Sequence, residues 1–92
     1  MNLHISNLSL DVLEYDLQRL FAPFGEIRSV DLVRDKLNNR SRGRAFIDMP
    51  VEKEGLKAQA ALNGSLLKGK LISIAVVNYD PGYGSHLISA KE

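Results

Sequence analysis

Two hydrophobic periods alternate along this chain, and their order restricts it to very few folds. In LHISNL, residues 3–8, Leu3 and Ile5 share one parity while His4 and Ser6 share the other, the pattern of a half-buried strand ending at Asn7. Leu13, Leu17, Leu20, Phe21 and Phe24 then recur at helical spacing, with Asp11 and Glu14 placed for a capping box and Pro23 and Gly25 as the stop. Strand-like spacing returns with Ile27, Val30 and Leu32, breaks at Asn38 and Asn39, which tolerate the left-handed backbone of a turn, and resumes in RAFIDM. In that third strand Ala45, Ile47 and Met49 fall on one face, Arg44, Phe46 and Asp48 on the other. The stretch VEKEGLKAQAALNG predicts a second helix with Val51, Gly55, Ala58, Ala61 and Leu62 along its inner side and Asn63 and Gly64 as its stop. LISIAVV closes the series, with Ile72, Ile74 and Val76 inward and Ser73, Ala75 and Val77 outward.

The resulting order, β-α-β-β-α-β, is satisfied by an α+β ferredoxin-like sandwich in which two crossover helices cover one face of a four-stranded antiparallel sheet. Ninety-two residues support a single hydrophobic core, hence a single domain. With both helices on one side, the other sheet face meets solvent. Alternation assigns to it His4, Ser6, Asp31, Val33, Arg44, Phe46, Asp48, Ser73, Ala75 and Val77. A phenylalanine on an uncovered sheet, between an arginine and an aspartate, calls for a reason other than packing. Gly55 calls for one too: inside a helix it costs about 1 kcal/mol relative to alanine unless the helix sits too close to the sheet for a side chain.

Composition narrows function by exclusion. At 45% hydrophobic and 25% charged residues the chain is neither disordered nor coiled-coil in character. It has no cysteine, so no disulfide and no thiolate metal site. Two widely separated histidines, and no loop of glycines and arginine after the first strand, leave no set of nucleophile, base and oxyanion donors. An enzyme, a cofactor and a bound metal are therefore not expected. The apolar runs are short and MNLHISNLSL lacks the basic region and apolar block of a signal peptide, so we expect no membrane partner and a cytoplasmic location. The net charge of +1 conceals a patch: Arg34, Lys36, Arg40, Arg42 and Arg44 stand against Asp35 alone, a local +4 within eleven positions.

On these residues the chain resembles an RNA recognition motif, from Leu3 to about Val77. LHISNL matches the family's six-residue RNP2 box and RGRAFIDM, residues 42–49, its eight-residue RNP1 box. GEI, DKLNNRSRG and LNGSLLKGKLI match the punctuation between them. Either box alone is a weak signal, but both boxes at this separation, on the first and third strands, make a strong one. The resemblance implies binding of single-stranded RNA on the open sheet, with bases stacked on rings of the two central strands and cations holding phosphates.

By position, the stacking platform is His4, Arg44 and Phe46. Only Phe46 keeps the usual residue type, since the family has Phe or Tyr at the other two positions. An imidazole and a guanidinium are both planar and can still carry a base, although Arg44 could instead pair across the sheet with Asp31 or Asp48. Arg42 falls where the family places a cation against the nucleic-acid backbone. The implied RNA-binding set is His4, Ser6, Asn7, Arg40, Arg42, Arg44, Phe46, Asp48, Ser73, Ala75 and Val77, with Tyr79 just beyond the last strand. Residues 1–78 make up the expected motif and residues 79–92 a mobile tail.

A monomer resembling the short single-motif RNA-binding proteins of bacteria, acting in post-transcriptional regulation or RNA chaperoning, is the expectation. Single-stranded DNA is an open competitor for the same face. Loss of two platform aromatics also leaves a rival, a protein–protein interaction module built on the same fold.

Overall fold

The computed structural model describes residues 1–77, and in it the periods of the sequence become β1 (Asn2–Ser6), α1 (Glu14–Phe21), a 3-10 turn (Ala22–Phe24), β2 (Ser29–Arg34), β3 (Ser41–Asp48), α2 (Glu52–Leu62), β4 (Leu66–Leu67), β5 (Lys70–Leu71) and β6 (Ser73–Val77). Four strands form one antiparallel sheet in the order β2-β3-β1-β6, so the two expected platform strands lie at its centre. Both helices cover the same face, α1 against β2 and α2 against β1 and β6. This is the expected ferredoxin-like architecture. Leu3, Ile5, Ala45, Ile47, Leu32, Ile72 and Ile74 of the sheet side meet Leu17 and Phe21 of α1 and Ala58 of α2 in one core, closed by Leu8, Val12 and Met49. The expected tail and Tyr79 lie outside the described residues.

Local chemistry sets the element ends, and several differ from expectation. Helix α1 begins later than the Asp11 and Glu14 pair suggests. Its N-cap is Leu13, whose backbone N–H donates to the Asp16 carboxylate at 2.9 Å. That bond holds Asp16 below the usual carboxylate range, which strengthens the acid in the first turn where the helix dipole favours it. Leu13 is thus a cap and half exposed rather than part of the buried stripe. Val51 is the N-cap of α2, without a capping carboxylate, and is exposed, and Ala61, one position short of the partly buried Leu62, points to solvent. Val76 lies on β6 at the sheet edge, beyond the cover of α2, and is 40% exposed.

Gly55 has its reason. A Cβ there would lie 2.7 Å from Met1 Sδ and in ordinary contact, 3.7 Å, with Met49 Cβ, so α2 packs closely enough on the N-terminal residue that an added side chain requires Met1 to shift. The edge of β6 is blunted by α2 and the residue after it: Asn63 Oδ1 accepts the Ile74 N–H at 2.8 Å and Gln59 Nε2 donates to the Ile74 carbonyl at 3.2 Å. The LNGSLLKGKLI punctuation contains the β4–β5 hairpin. Lys68 and Gly69 turn it with φ of 49° and 89°, the two positive angles that a tight type I′ connection requires.

The feature of the fold that matters most to the site is an irregularity in β3. Leu32 pairs with Ala45 and Arg34 with Ser41, so Arg42, Gly43 and Arg44 together oppose Val33 alone. Gly43 takes up the distortion with φ of 77°, and its carbonyl accepts the Leu8 N–H at 3.0 Å. The bulge turns two arginines outward while Gly43 stays buried between them. A Cβ at Gly43 would meet the Leu8 carbonyl oxygen at 3.1 Å in a backbone region that disfavours side chains. Gly43→Ala is therefore expected to lower stability by about 1–3 kcal/mol, seen as a lower urea midpoint at unchanged slope.

Candidate nucleic-acid interface

The strand registers lay the open face out in rows. Asp31, Phe46, His4 and Ala75 are successive partners across all four strands, and Ser29, Asp48, Asn2 and Val77 form the next row. Ser6 pairs with Ser73 on the other side of the aromatic row, level with Arg44 at the bulge. Eight of the twelve expected site residues, His4, Ser6, Arg44, Phe46, Asp48, Ser73, Ala75 and Val77, thus share one surface. Arg42 and Arg40 are exposed beside it, at the bulge and in the loop entering β3. Asn7 is at the exit of β1, with φ of 60°, and its side-chain N–H₂ donates to the Leu71 carbonyl at 2.7 Å, tying the strand end to β5.

His4 and Phe46 form the centre. Their ring centroids are 5.0 Å apart at an interplanar angle of 40°, within the range of favourable aromatic pairs. Partial burial, and then the positive charge of Arg44, lower the His4 pKa below its ordinary 6.5. At neutral pH the platform is two uncharged rings. The linkage has a definite sign. A histidine whose pKa is depressed by folding binds fewer protons folded than unfolded, so stability falls as pH drops below about 6.5 and levels off below the folded value. The melting temperature should decline between pH 7 and 5.5, and less so in His4→Phe; Glu14 and Asp16, also depressed, act at lower pH.

The cations divide into two groups. Arg34 Nη2 donates to both Glu14 oxygens, at 2.8 and 3.1 Å, which ties β2 to the start of α1, and Arg42 faces Asp35 at 3.7 Å. Among the described residues Lys36, Arg40 and Arg44 make no ion pair. Arg44 pairs with neither Asp31 nor Asp48 across the sheet; Asp48 is taken by Arg28 at 3.5 Å and by the N-terminal ammonium at 3.6 Å. The loop carrying Lys36 and Arg40 is itself ordered by side chains: Asp35 Oδ1 accepts the Leu37 N–H at 2.8 Å and Asn38 Oδ1 the Arg40 N–H at 3.0 Å.

A recess of about 230 Å³ opens beside Phe46, lined by Met1, Asn2, Arg28, Ser29, Asp31 and Asp48. Asn2, Ser29 and Arg28 were not singled out in the sequence. Asn2 has the parity of His4 and could have been found; Ser29 has the parity of Asp31, but Ile27 lies outside the strand and obscured its start. Among the described residues no cluster of acids and histidines could hold a metal, and no helix is long and apolar enough to cross a membrane.

The arrangement is an open sheet with rings at its centre and cations at its rim, and the family model for the RNA recognition motif matches residues 3–73. The chain belongs to the RNA recognition motif family. Among relatives of this motif, Organelle RRM domain-containing protein 1, chloroplastic, of rice is 36% identical over 77 residues, 84% of this chain but 19% of its own length. RbpA of Synechocystis is 34% identical over 74 residues, 80% of this chain and 73% of its own. The chain therefore spans about a fifth of the plant relative and most of the cyanobacterial one. Of solved structures, the RNA Binding Protein PG1 crystal structure superposes with a TM-score of 0.85 at 28% identity, covering 88% of this chain and 98% of that one. An Sxl-lethal protein/RNA complex gives 0.81 at 28% identity, covering 86% and 47%.

Proposed function

We propose that this RNA recognition motif binds single-stranded RNA on its open sheet, stacking bases on Phe46 and, more weakly, on His4 and Arg44, with Lys36, Arg40 and Arg44 engaging phosphates. The observation that carries the reading is the central row, in which an uncharged His4 and Phe46 lie in register on the sheet face opposite the helices, beside cations that make no ion pair among the described residues. Likeness to a protein solved in complex with RNA supports it. Ser6, Asp48, Ser73, Ala75 and Val77 frame the rings, and Asn7 fixes the loop behind them. The domain acts as a binding module, not an enzyme, in post-transcriptional regulation or RNA chaperoning, and single-stranded DNA competes for the same face. A cysteine-free sequence suits a reducing cytoplasm, and the likeness to a cyanobacterial RNA-binding protein is compatible with a bacterial source.

Salt dependence tests the electrostatic part. Three free cations on a single strand should give a slope of log K against log salt near −2, with Arg40→Ala reducing it by about 0.7. Fluorescence anisotropy with labelled oligonucleotides reads both values, and a salt-independent affinity would remove the phosphate contacts from the account.

A further inference from the structure

The β2 end of the aromatic row carries an acid on a surface that must meet phosphates. Asp31 stands opposite Phe46 in the β2–β3 register and is exposed, and its carboxylate takes no hydrogen bond or ion pair from any described residue. Asp48, the other acid of this face, already has Arg28 and the N-terminal ammonium as partners. Asp31 and Arg28 line the same recess next to the Phe46 ring, an acceptor-only group and a donor-only group facing one opening.

A base lying on Phe46 turns its edge, not its phosphate, toward that recess. A carboxylate there discriminates among edges. Guanine offers N1–H and N2–H₂ side by side, two donors that the two carboxylate oxygens accept together. Uracil offers one donor between two carbonyl oxygens, and adenine and cytosine each set an acceptor nitrogen beside their amine, which a negative charge repels. An arginine in the same recess suits the O6 and N7 acceptors that guanine alone combines with such donors.

We propose that Asp31 makes the Phe46 position selective for guanine, by accepting the N1 and N2 hydrogens of the stacked base, with Arg28 lining the same recess. The assignment rests on the RNA-binding reading above and adds to it the identity of one base.

The test compares short oligouridines carrying one central guanosine, adenosine, cytidine or uridine, bound to the native protein and to Asp31→Ala, by anisotropy at low salt. The expected result is about fivefold to a hundredfold tighter binding of the guanosine strand, the discrimination of a good bidentate contact. Inosine in place of guanosine, which lacks the N2 amine, should lose much of that margin. In Asp31→Ala the four strands should bind alike, and the all-uridine strand more tightly than to the native protein, because a like charge has left the surface. Native protein that binds all four equally, or an Asp31→Ala change that shifts all four by one common factor, overturns the guanine assignment and leaves RNA binding intact. Native protein that binds none of them overturns both.

Discussion

Phe46→Ala lowers affinity for short single-stranded RNA about 5- to 150-fold, the range that corresponds to about 1–3 kcal/mol for one base stacked on an aromatic side chain. The full value is expected here because Phe46 is the one conventional ring of the platform and sits on a central strand, flanked in its row by His4 and Asp31. His4 cannot replace it. Its ring is tilted by 40° and smaller, so a base left to His4 alone keeps only part of the contact. The urea midpoint of the variant should move little compared with a core truncation, since Phe46 is only half-buried and its ring faces away from the helices. An anisotropy titration in which native protein and variant bind equally would show that the open sheet is not the RNA surface, and would favour the interaction-module reading.

Phe21→Ala produces the opposite profile: a large loss of stability with little change in RNA affinity while the protein is folded. Phe21 is the largest fully buried side chain, set at the last turn of α1 among Leu17, Leu32 and the other members of the core. Removing a buried phenyl ring costs about 3–5 kcal/mol, the transfer term plus a cavity that neighbours fill only in part. Small domains have about 5–15 kcal/mol in total, so the variant loses roughly a fifth of its stability or more. For a domain of this size that is a drop in melting temperature of at least about 12 °C. Calorimetry measures it directly, and a shift of only a few degrees would mean that the core rearranges around the gap.

Much of this architecture was legible because alternation and helical spacing are imposed by burial on one face. The four sheet strands, both helices and the open face with Phe46 follow from that rule, and each inner residue of β1 and β3 lies in the core as its parity requires. What escaped depends on backbone geometry and on long-range partners. Leu13 and Val51 carry apolar side chains at cap positions, where periodicity has no force. The capping acid of α1 is Asp16 rather than the Asp11 and Glu14 pair, because the chain between Asn7 and Leu13 is set by the Leu8 bond to Gly43, thirty-five positions away. Whether the loop arginines are free was equally invisible, since Glu14, which takes Arg34, belongs to another element. The departures at His4 and Arg44 were plain in the sequence; that the two act on each other, Arg44 helping keep His4 neutral, needed the sheet.

The measurement that bears most directly on the open sheet as the RNA surface is an NMR titration of the labelled protein with short single-stranded RNA at low salt, on native protein and Phe46→Ala. The account predicts amide shifts concentrated on His4, Ser6 and residues 42–48, with Asp31 and Asn2 beside them, and their loss in the variant. Shifts confined to α1 and α2, or absent from the sheet under these conditions, would contradict it.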